Sequence, residues 1–223
     1  MISVLTLTYK RPLLLQEAIA SFLEQDVEAE MVIVNDNPKA TYLIDNPRVR
    51  VINCKERFAS LSDKLEFGFK ECKFDFVYRL DDDDLLAPNG LKYAKESILN
   101  NPDYDIYRSQ EFYFFVHNVF DRITSNVNTG NVYTKNYINS IEFPKTSWGE
   151  DVDITYGNKA KIYQSPNKTM IYRWGMNTSH VSGLGEMSNE DILRNVDRIL
   201  GEESGVLNLE PLFQNNYYSQ LPK

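Results

Sequence analysis

Cysteine is scarce in this chain. Cys54 and Cys72 are the only two among 223 residues. Neither belongs to a metal-ligand spacing, so both read as core residues suited to a reducing compartment. Long apolar runs are missing as well, and strand-like sequence from Ile2 leaves no space for a signal peptide. The expectation is a soluble protein of the cytoplasm, in a bacterium or a phage-infected host. The N-glycosylation patterns at Asn167-Lys168-Thr169 and Asn177-Thr178-Ser179 are then coincidental. No glycine-rich turn follows the first apolar strand, where Lys10-Arg11-Pro12 stands instead. That argues against a nucleotidyltransferase built on a phosphate-binding loop. Excess positive charge is also lacking. A net charge of −8 disfavours a surface shaped mainly to grip phosphate backbones. Locally the balance reverses, because Arg48, Arg50, Lys55, Arg57, Lys64, Lys70 and Lys73 cluster in sequence and allow a basic face.

Hydrophobic residues make up 42% of the chain and charged residues 25%, enough apolar material for one sizeable core with nothing that demands a second. The expectation is a single domain over 1–223. Its first half alternates strand and helix. Ser3 to Thr8 is an apolar, β-branched run. Leu13 to Glu24 places Leu14, Leu15, Ala18, Ile19, Phe22 and Leu23 on one helical face, with Pro12 suited to its first turn. Met31 to Val34, Val49 to Ile52 and Phe76 to Leu80 read as further strands. Ser60 and Ser62 offer caps for a helix reaching toward Cys72, and another helix runs from Gly90 to Leu99 before Asn100-Asn101-Pro102. This rhythm predicts an α/β fold with a mostly parallel central sheet flanked by helices, in which ligands gather at the carboxyl ends of the strands. Beyond Pro102, strands are predicted over Ile106 to Glu111, Phe112 to Phe120, Lys161 to Gln164 and Thr169 to Trp174. Asn126 to Asn131 reads as a polar loop. A closing amphipathic helix spans Asn189 to Leu200, with Ser188 as cap and Gly201 as stop.

The chemistry concentrates at Asp81-Asp82-Asp83-Asp84, directly after the strand Phe76 to Leu80. Alternation along an extended segment points Asp81 and Asp83 the same way. Crowded carboxylates repel one another, and a hard divalent cation relieves that repulsion by binding their oxygens, which implies Mg²⁺ or Mn²⁺. The alternative is a solvated acidic turn. A calcium loop of the EF-hand type fits badly, because Leu85 and Leu86 stand where an oxygen ligand and the turn glycine belong.

Four segments in order resemble inverting glycosyltransferases of family two with the glycosyltransferase A (GT-A) fold. They are Ile2 to Pro12, Val32-Ile33-Val34-Asn35-Asp36, Leu80 to Pro88, and Trp148-Gly149-Glu150-Asp151. The resemblance implies a GT-A domain in which residues 1–101 bind a nucleotide sugar and residues 102–223 meet the acceptor. Thr8, Tyr9 and Arg11 match the loop that surrounds the nucleotide base, with Lys10 where the family often has Asn and Leu7 where it often has Pro. Asp36 matches the acidic residue that recognises base or ribose; as an alternative it is a capping Asp before Pro38. Lys64 falls where relatives often carry a basic residue, although Glu66 replaces a usual Asn nearby, and a solvated helix residue is its alternative. Asp81 and Asp83 match the D-x-D pair, with Asp83 a direct metal ligand and Asp81 on the ribose, the metal or its water. Asp84 is expected to fix the turn by accepting backbone N–H bonds.

Glu150 and Asp151 match the second chemical centre, with Asp151 as the base that takes a proton from the acceptor hydroxyl. A helix start there favours an ionised carboxylate, which also accounts for acids without any catalytic role. Trp148 reads either as a stacking surface for an acceptor or as a core residue. Arg173 and His180 resemble the late loop that closes over the diphosphate, with His180 a further metal ligand or phosphate donor. His117 reads as structural, and Gly183-Leu184-Gly185 would permit a mobile lid.

The implied function is metal-dependent transfer of a sugar, with inversion, from a nucleoside-diphosphate sugar, most often a uridine one, to a hydroxyl of a saccharide. Two alternatives stand beside it. One is a phage-type enzyme that glycosylates a hydroxymethylated DNA base, compatible with the basic cluster and with Tyr107, Phe112, Tyr113, Phe114 and Phe115. The other is a nucleotide-sugar binding module without turnover.

Overall fold

The computed structural model describes residues 1–116, 119–124, 129–174 and 188–222, without side chains for 121–124. Strand β1 (Ile2–Thr8) is buried along its whole length. It pairs in parallel with β2 (Ala29–Asn35) on one side and with β5 (Phe76–Arg79) on the other. β4 (Val49–Asn53) extends the parallel set beyond β2. On the far side of β5 the sheet turns mixed. β10 (Val132–Thr134) runs antiparallel to both β5 and β7 (Ile106–Ser109), and β11 (Ile162–Ser165) is parallel to β7. The expected mostly parallel, helix-flanked sheet is present, and it has seven strands among the described residues.

Alternate residues of the buried strands face opposite layers. Val4, Met31 and Ile33 pack with Leu15, Ile19 and Phe22 of α1 (Pro12–Leu23) and with Leu91 and Ile98 of α3 (Gly90–Asn100). Leu5, Val32 and Val34 pack with Leu65 and Phe69 of α2 (Leu61–Glu71) on the other face. That second layer also takes Tyr137 of α4 (Lys135–Ile138) and Ile154 of α5 (Glu150–Tyr156). Cys72 belongs to this core, whereas Cys54 is only half-buried at its margin, so the expectation of two core cysteines holds for one. Pro12 occupies the first turn of α1, and the Ser60 hydroxyl caps α2 by accepting the Asp63 amide at 3.0 Å.

A smaller sheet lies behind the acidic segment. β6 (Leu85–Leu86) pairs with β12 (Met170–Trp174), which runs parallel to β8 (Phe112–Val116); β8 pairs antiparallel with β9 (Val119–Thr124). The run Phe112 to Phe120, expected as one strand, is therefore two. Helix α6 (Asn189–Leu200) has the expected cap, Ser188 accepting the Asp191 amide at 3.2 Å. It leads into β13 (Gly205–Asn208), which pairs in parallel with β3 (Ala40–Leu43). β3, β10 and β13 were not expected, since each has at most four residues and is held by its partner more than by its own pattern.

Candidate active site

Because β1, β2 and β5 are parallel neighbours, their carboxyl ends share one sheet edge. Thr8, Asp36 and Asp81 meet there. Thr8, Tyr9, Arg11, Asp36 and Lys64 line a single pocket, joined by Arg57 and, across it, by Ile192 and Val196 of α6. Lys64 is buried. Its Nζ donates to Asp36 Oδ1 at 2.5 Å and to the Thr8 carbonyl at 2.6 Å. Both alternative readings therefore fail, since Lys64 is not solvated and Asp36 caps no helix. Asp36 also accepts the Phe58 amide at 3.3 Å.

Tyr9 is clamped. The Arg57 guanidinium lies 3.8 Å from its ring centroid, and its hydroxyl donates to Asp197 of α6. Asp197 also accepts from Lys10 Nζ and Arg57 Nη1, each at 2.7 Å. Burial and the Asp197 hydrogen bond push the Tyr9 phenol up. Lys10 has φ 55°, a left-handed conformation that asparagine adopts more readily than lysine. Asp197 and the clamp of Arg57 were missed in the sequence, where nothing links position 197 to positions 9, 10 and 57.

The four aspartates form a turn and not an extended strand end. The Asp84 amide donates to the Asp81 carbonyl at 3.1 Å. Alternation therefore does not govern the side chains. Asp81, Asp83 and Asp84 each offer a carboxylate oxygen, and these oxygens lie within 4.8 Å of one another. Asp82 is turned away into a buried ion pair with Arg11, whose Nε donates to Asp82 Oδ2 at 3.1 Å and whose Nη1 reaches Asp83 Oδ2 at 2.8 Å. Burial raises the Asp82 carboxyl to about 6, with Arg11 acting against the rise. Asp84 accepts a backbone N–H as expected, but from Arg173 of β12 at 2.9 Å, not from its own turn. Burial, then the charges of Asp83 and Asp81, hold its carboxyl well above the usual range. Its second oxygen, Oδ2, is buried and has no hydrogen-bond partner among the described residues. Three converging carboxylates, one with an orphaned oxygen, are the donor set a hard divalent cation takes.

Arg79 links this turn to α5. Its Nε donates to Asp81 Oδ1 at 3.2 Å and its Nη2 to Glu150 Oε1 at 3.1 Å. The sequence signal was a lone arginine in the apolar strand before the aspartates. Gly149, with φ 70°, turns the chain into α5. The two acids then part. Glu150 is 4% exposed, and its Oε1 accepts from Arg79. Burial raises its carboxyl, against the pull of Arg79. Asp151 is half-exposed at the helix start, and its Oδ1 accepts the Val152 amide at 2.9 Å. Trp148 is 44% exposed, which removes the core reading.

Arg173 lies in β12 and not in a loop, and its side chain is completely buried. His117, His180 and Gly183-Leu184-Gly185 lie outside the described residues. The basic cluster is largely paired within the chain. Arg48 donates to the Gln25 and Val27 carbonyls, Arg50 pairs with Glu71 and Lys70 with Glu66. Tyr107, Phe112 and Phe115 are core residues, and Tyr113 and Phe114 are half-buried.

Residues 3–175 match the sequence model described as glycosyl transferase family 2. The chain belongs to this family. The resemblance carried by the four segments is thus borne out, and this family-2 glycosyltransferase has the GT-A fold of its solved relatives. A fragment of S. aureus TarS (1–349), solved with UDP-GlcNAc, superposes with a TM-score of 0.66 at 15% identity, covering 89% of this chain and 66% of that one. The mannosyltransferase PcManGT of Pyrobaculum calidifontis, solved with GDP-Man and Mn²⁺, superposes at 0.54 and 13% identity over 77% of this chain and 56% of that one. A curated Escherichia coli protein, UDP-Gal:alpha-D-GlcNAc-diphosphoundecaprenol beta-1,3-galactosyltransferase, is 33% identical over 113 residues, 46% of this chain and 41% of the relative. This family-2 chain therefore spans under half the length of that relative. No helix among its described residues is long and apolar enough to cross a membrane.

Proposed function

We propose that this family-2 glycosyltransferase moves a sugar from a nucleoside-diphosphate sugar to a saccharide hydroxyl, with inversion and with help from a divalent cation. One observation carries the reading: Arg11 lines the pocket of Asp36 and Lys64 and also pairs with Asp82 and Asp83, so pocket and acid turn form one continuous site. A nucleoside fits the pocket end, where Asp36 accepts hydrogen bonds from base or ribose. The diphosphate then lies toward the turn. UDP-Gal in the name of the E. coli relative and UDP-GlcNAc in the TarS complex favour uridine as the base.

Asp81, Asp83 and Asp84 would hold Mg²⁺ or Mn²⁺, which when bound neutralises charge on the departing diphosphate. The protein's own residues do the rest. Arg11 places a positive charge beside the same edge. Asp151, half-exposed at the start of α5, takes the proton from the acceptor hydroxyl as that oxygen attacks the anomeric carbon and the bond to the diphosphate breaks on the opposite face. Arg79 and Glu150 keep the helix start in register with the turn. The exposed Trp148 beside Asp151 suits stacking against a sugar ring. The single-domain reading, with donor and acceptor halves, belongs to the same proposal, although α6 of the later half also lines the donor pocket.

The test is nucleoside diphosphate release from UDP-Gal, UDP-GlcNAc and GDP-Man, with and without Mn²⁺ and saccharide acceptors. Metal-dependent release, lost in Asp83→Ala, is the expected result. Full activity of Asp83→Ala would sink the assignment, and donor binding without turnover under any condition would mark a binding module.

A further inference from the structure

Behind the acid turn the chain buries a cation that the proposed chemistry does not touch. The Arg173 guanidinium donates through Nε to the Asp83 carbonyl, through Nη1 to Glu17 of α1 and to the Tyr217 hydroxyl at 3.2 Å, and through Nη2 to the Leu14 carbonyl at 3.5 Å. Its backbone amide holds Asp84 Oδ1. Tyr217, also buried, donates to Glu17 Oε1 at 2.9 Å, and the same oxygen accepts the Gln214 amide at 2.7 Å. The Tyr217 ring packs edge-on against Phe115 and Phe213.

Three segments distant in sequence thus converge on one planar fork. An arginine buried this deeply is stable only with its partners in place, and its rigid geometry transmits their positions. Two of its contacts end on the acid turn, one on the backbone of Asp83 and one on the carboxylate of Asp84. The contact to Asp84 occupies Oδ1 and leaves Oδ2 as the oxygen without a partner. Groups that orient metal-binding side chains in this way govern metal affinity without touching the metal.

We infer that Arg173, held by Glu17 and Tyr217, is a positioning residue for the metal-binding carboxylates, and that the segment around Tyr217 is a working element of the site. The inference rests on reading Asp81, Asp83 and Asp84 as cation ligands. Tyr217→Phe keeps the ring and removes the hydroxyl. Arg173→Lys keeps the charge and removes the fork. Mn²⁺ binding is followed by electron paramagnetic resonance of the free ion with and without UDP, and metal-free UDP binding by calorimetry, with Asp83→Ala as reference.

Asp83→Ala should abolish Mn²⁺ binding. Tyr217→Phe should weaken it by about tenfold, and Arg173→Lys by as much or more, while metal-free UDP affinity stays at the wild-type value. Wild-type Mn²⁺ affinity in Tyr217→Phe, with Asp83→Ala inactive in binding, overturns the positioning role and leaves the ligand assignment standing. Wild-type affinity in Asp83→Ala overturns the ligand assignment itself. Parallel loss of Mn²⁺ and metal-free UDP binding in Tyr217→Phe indicates general loosening and also overturns the positioning role. Should Arg173→Lys fail to fold, Tyr217→Phe alone decides.

Discussion

Arg79 Nη2 lies 3.1 Å from Glu150 Oε1 with both side chains buried, and this contact ties the strand that ends in the acid turn to the helix that presents Asp151. Removing the cation strands a carboxylate away from water. Arg79→Met is expected to destabilise the fold by about 3–5 kcal/mol, read by urea denaturation, whereas Glu150→Gln keeps a hydrogen-bond acceptor and costs less.

The same pair sets a pH dependence. Burial raises the Glu150 carboxyl above its ordinary value of 4.5. A group raised on folding contributes stability that is complete below its unfolded value and is lost as pH climbs through the folded one. Glutamine has no such loss, so Glu150→Gln should gain on the wild type between about pH 4 and about pH 8. Urea curves at both pH values check this, and a difference independent of pH would contradict it.

Asp151→Asn removes the proposed proton acceptor and leaves the donor pocket intact. Turnover should fall by about 10²–10⁴ with donor affinity unchanged. Steady-state kinetics alongside donor calorimetry separate the two, and weakened donor binding would point to a role other than base.

Lys64 and Asp36 form a buried pair, so losing one is worse than losing both. Lys64→Met should cost about 3–5 kcal/mol, and adding Asp36→Asn should recover some of it. A double-mutant cycle on unfolding free energy gives the coupling, and additive effects would deny it.

Asp197 joins α6 to Tyr9, Lys10 and Arg57 across the proposed donor pocket. Its side chain is 43% exposed, so solvent weakens each pair. Asp197→Ala should reduce nucleotide affinity by roughly 1 kcal/mol, about fivefold, and speed amide exchange in α6. Unchanged affinity would show that α6 lines the pocket without shaping it.

Much of this was legible in order along the chain. Four carboxylates after an apolar strand, and an acid pair after Trp148-Gly149, announce themselves because charge beside hydrophobic sequence is conspicuous. The long helices and the strands of the parallel set were legible because their periodicity repeats. The geometry of the aspartates was not, since alternation assumes an extended chain and the Asp84 amide closes a turn instead.

The remaining losses are of one kind. Glu17, Tyr217 and Asp197 carry no local signature, because each acquires meaning from partners far along the chain, such as the 156 residues between Arg173 and Glu17 or the 200 between Tyr217 and Glu17. Composition, periodicity and clustered charge are local properties, so the residues alone determined the α/β architecture, the family and the place of the acids. Which acid faces outward, which cation is spent holding another residue, and which distant segment braces the turn depend on desolvation and on hydrogen-bond partners. Those exist only once the chain has closed on itself.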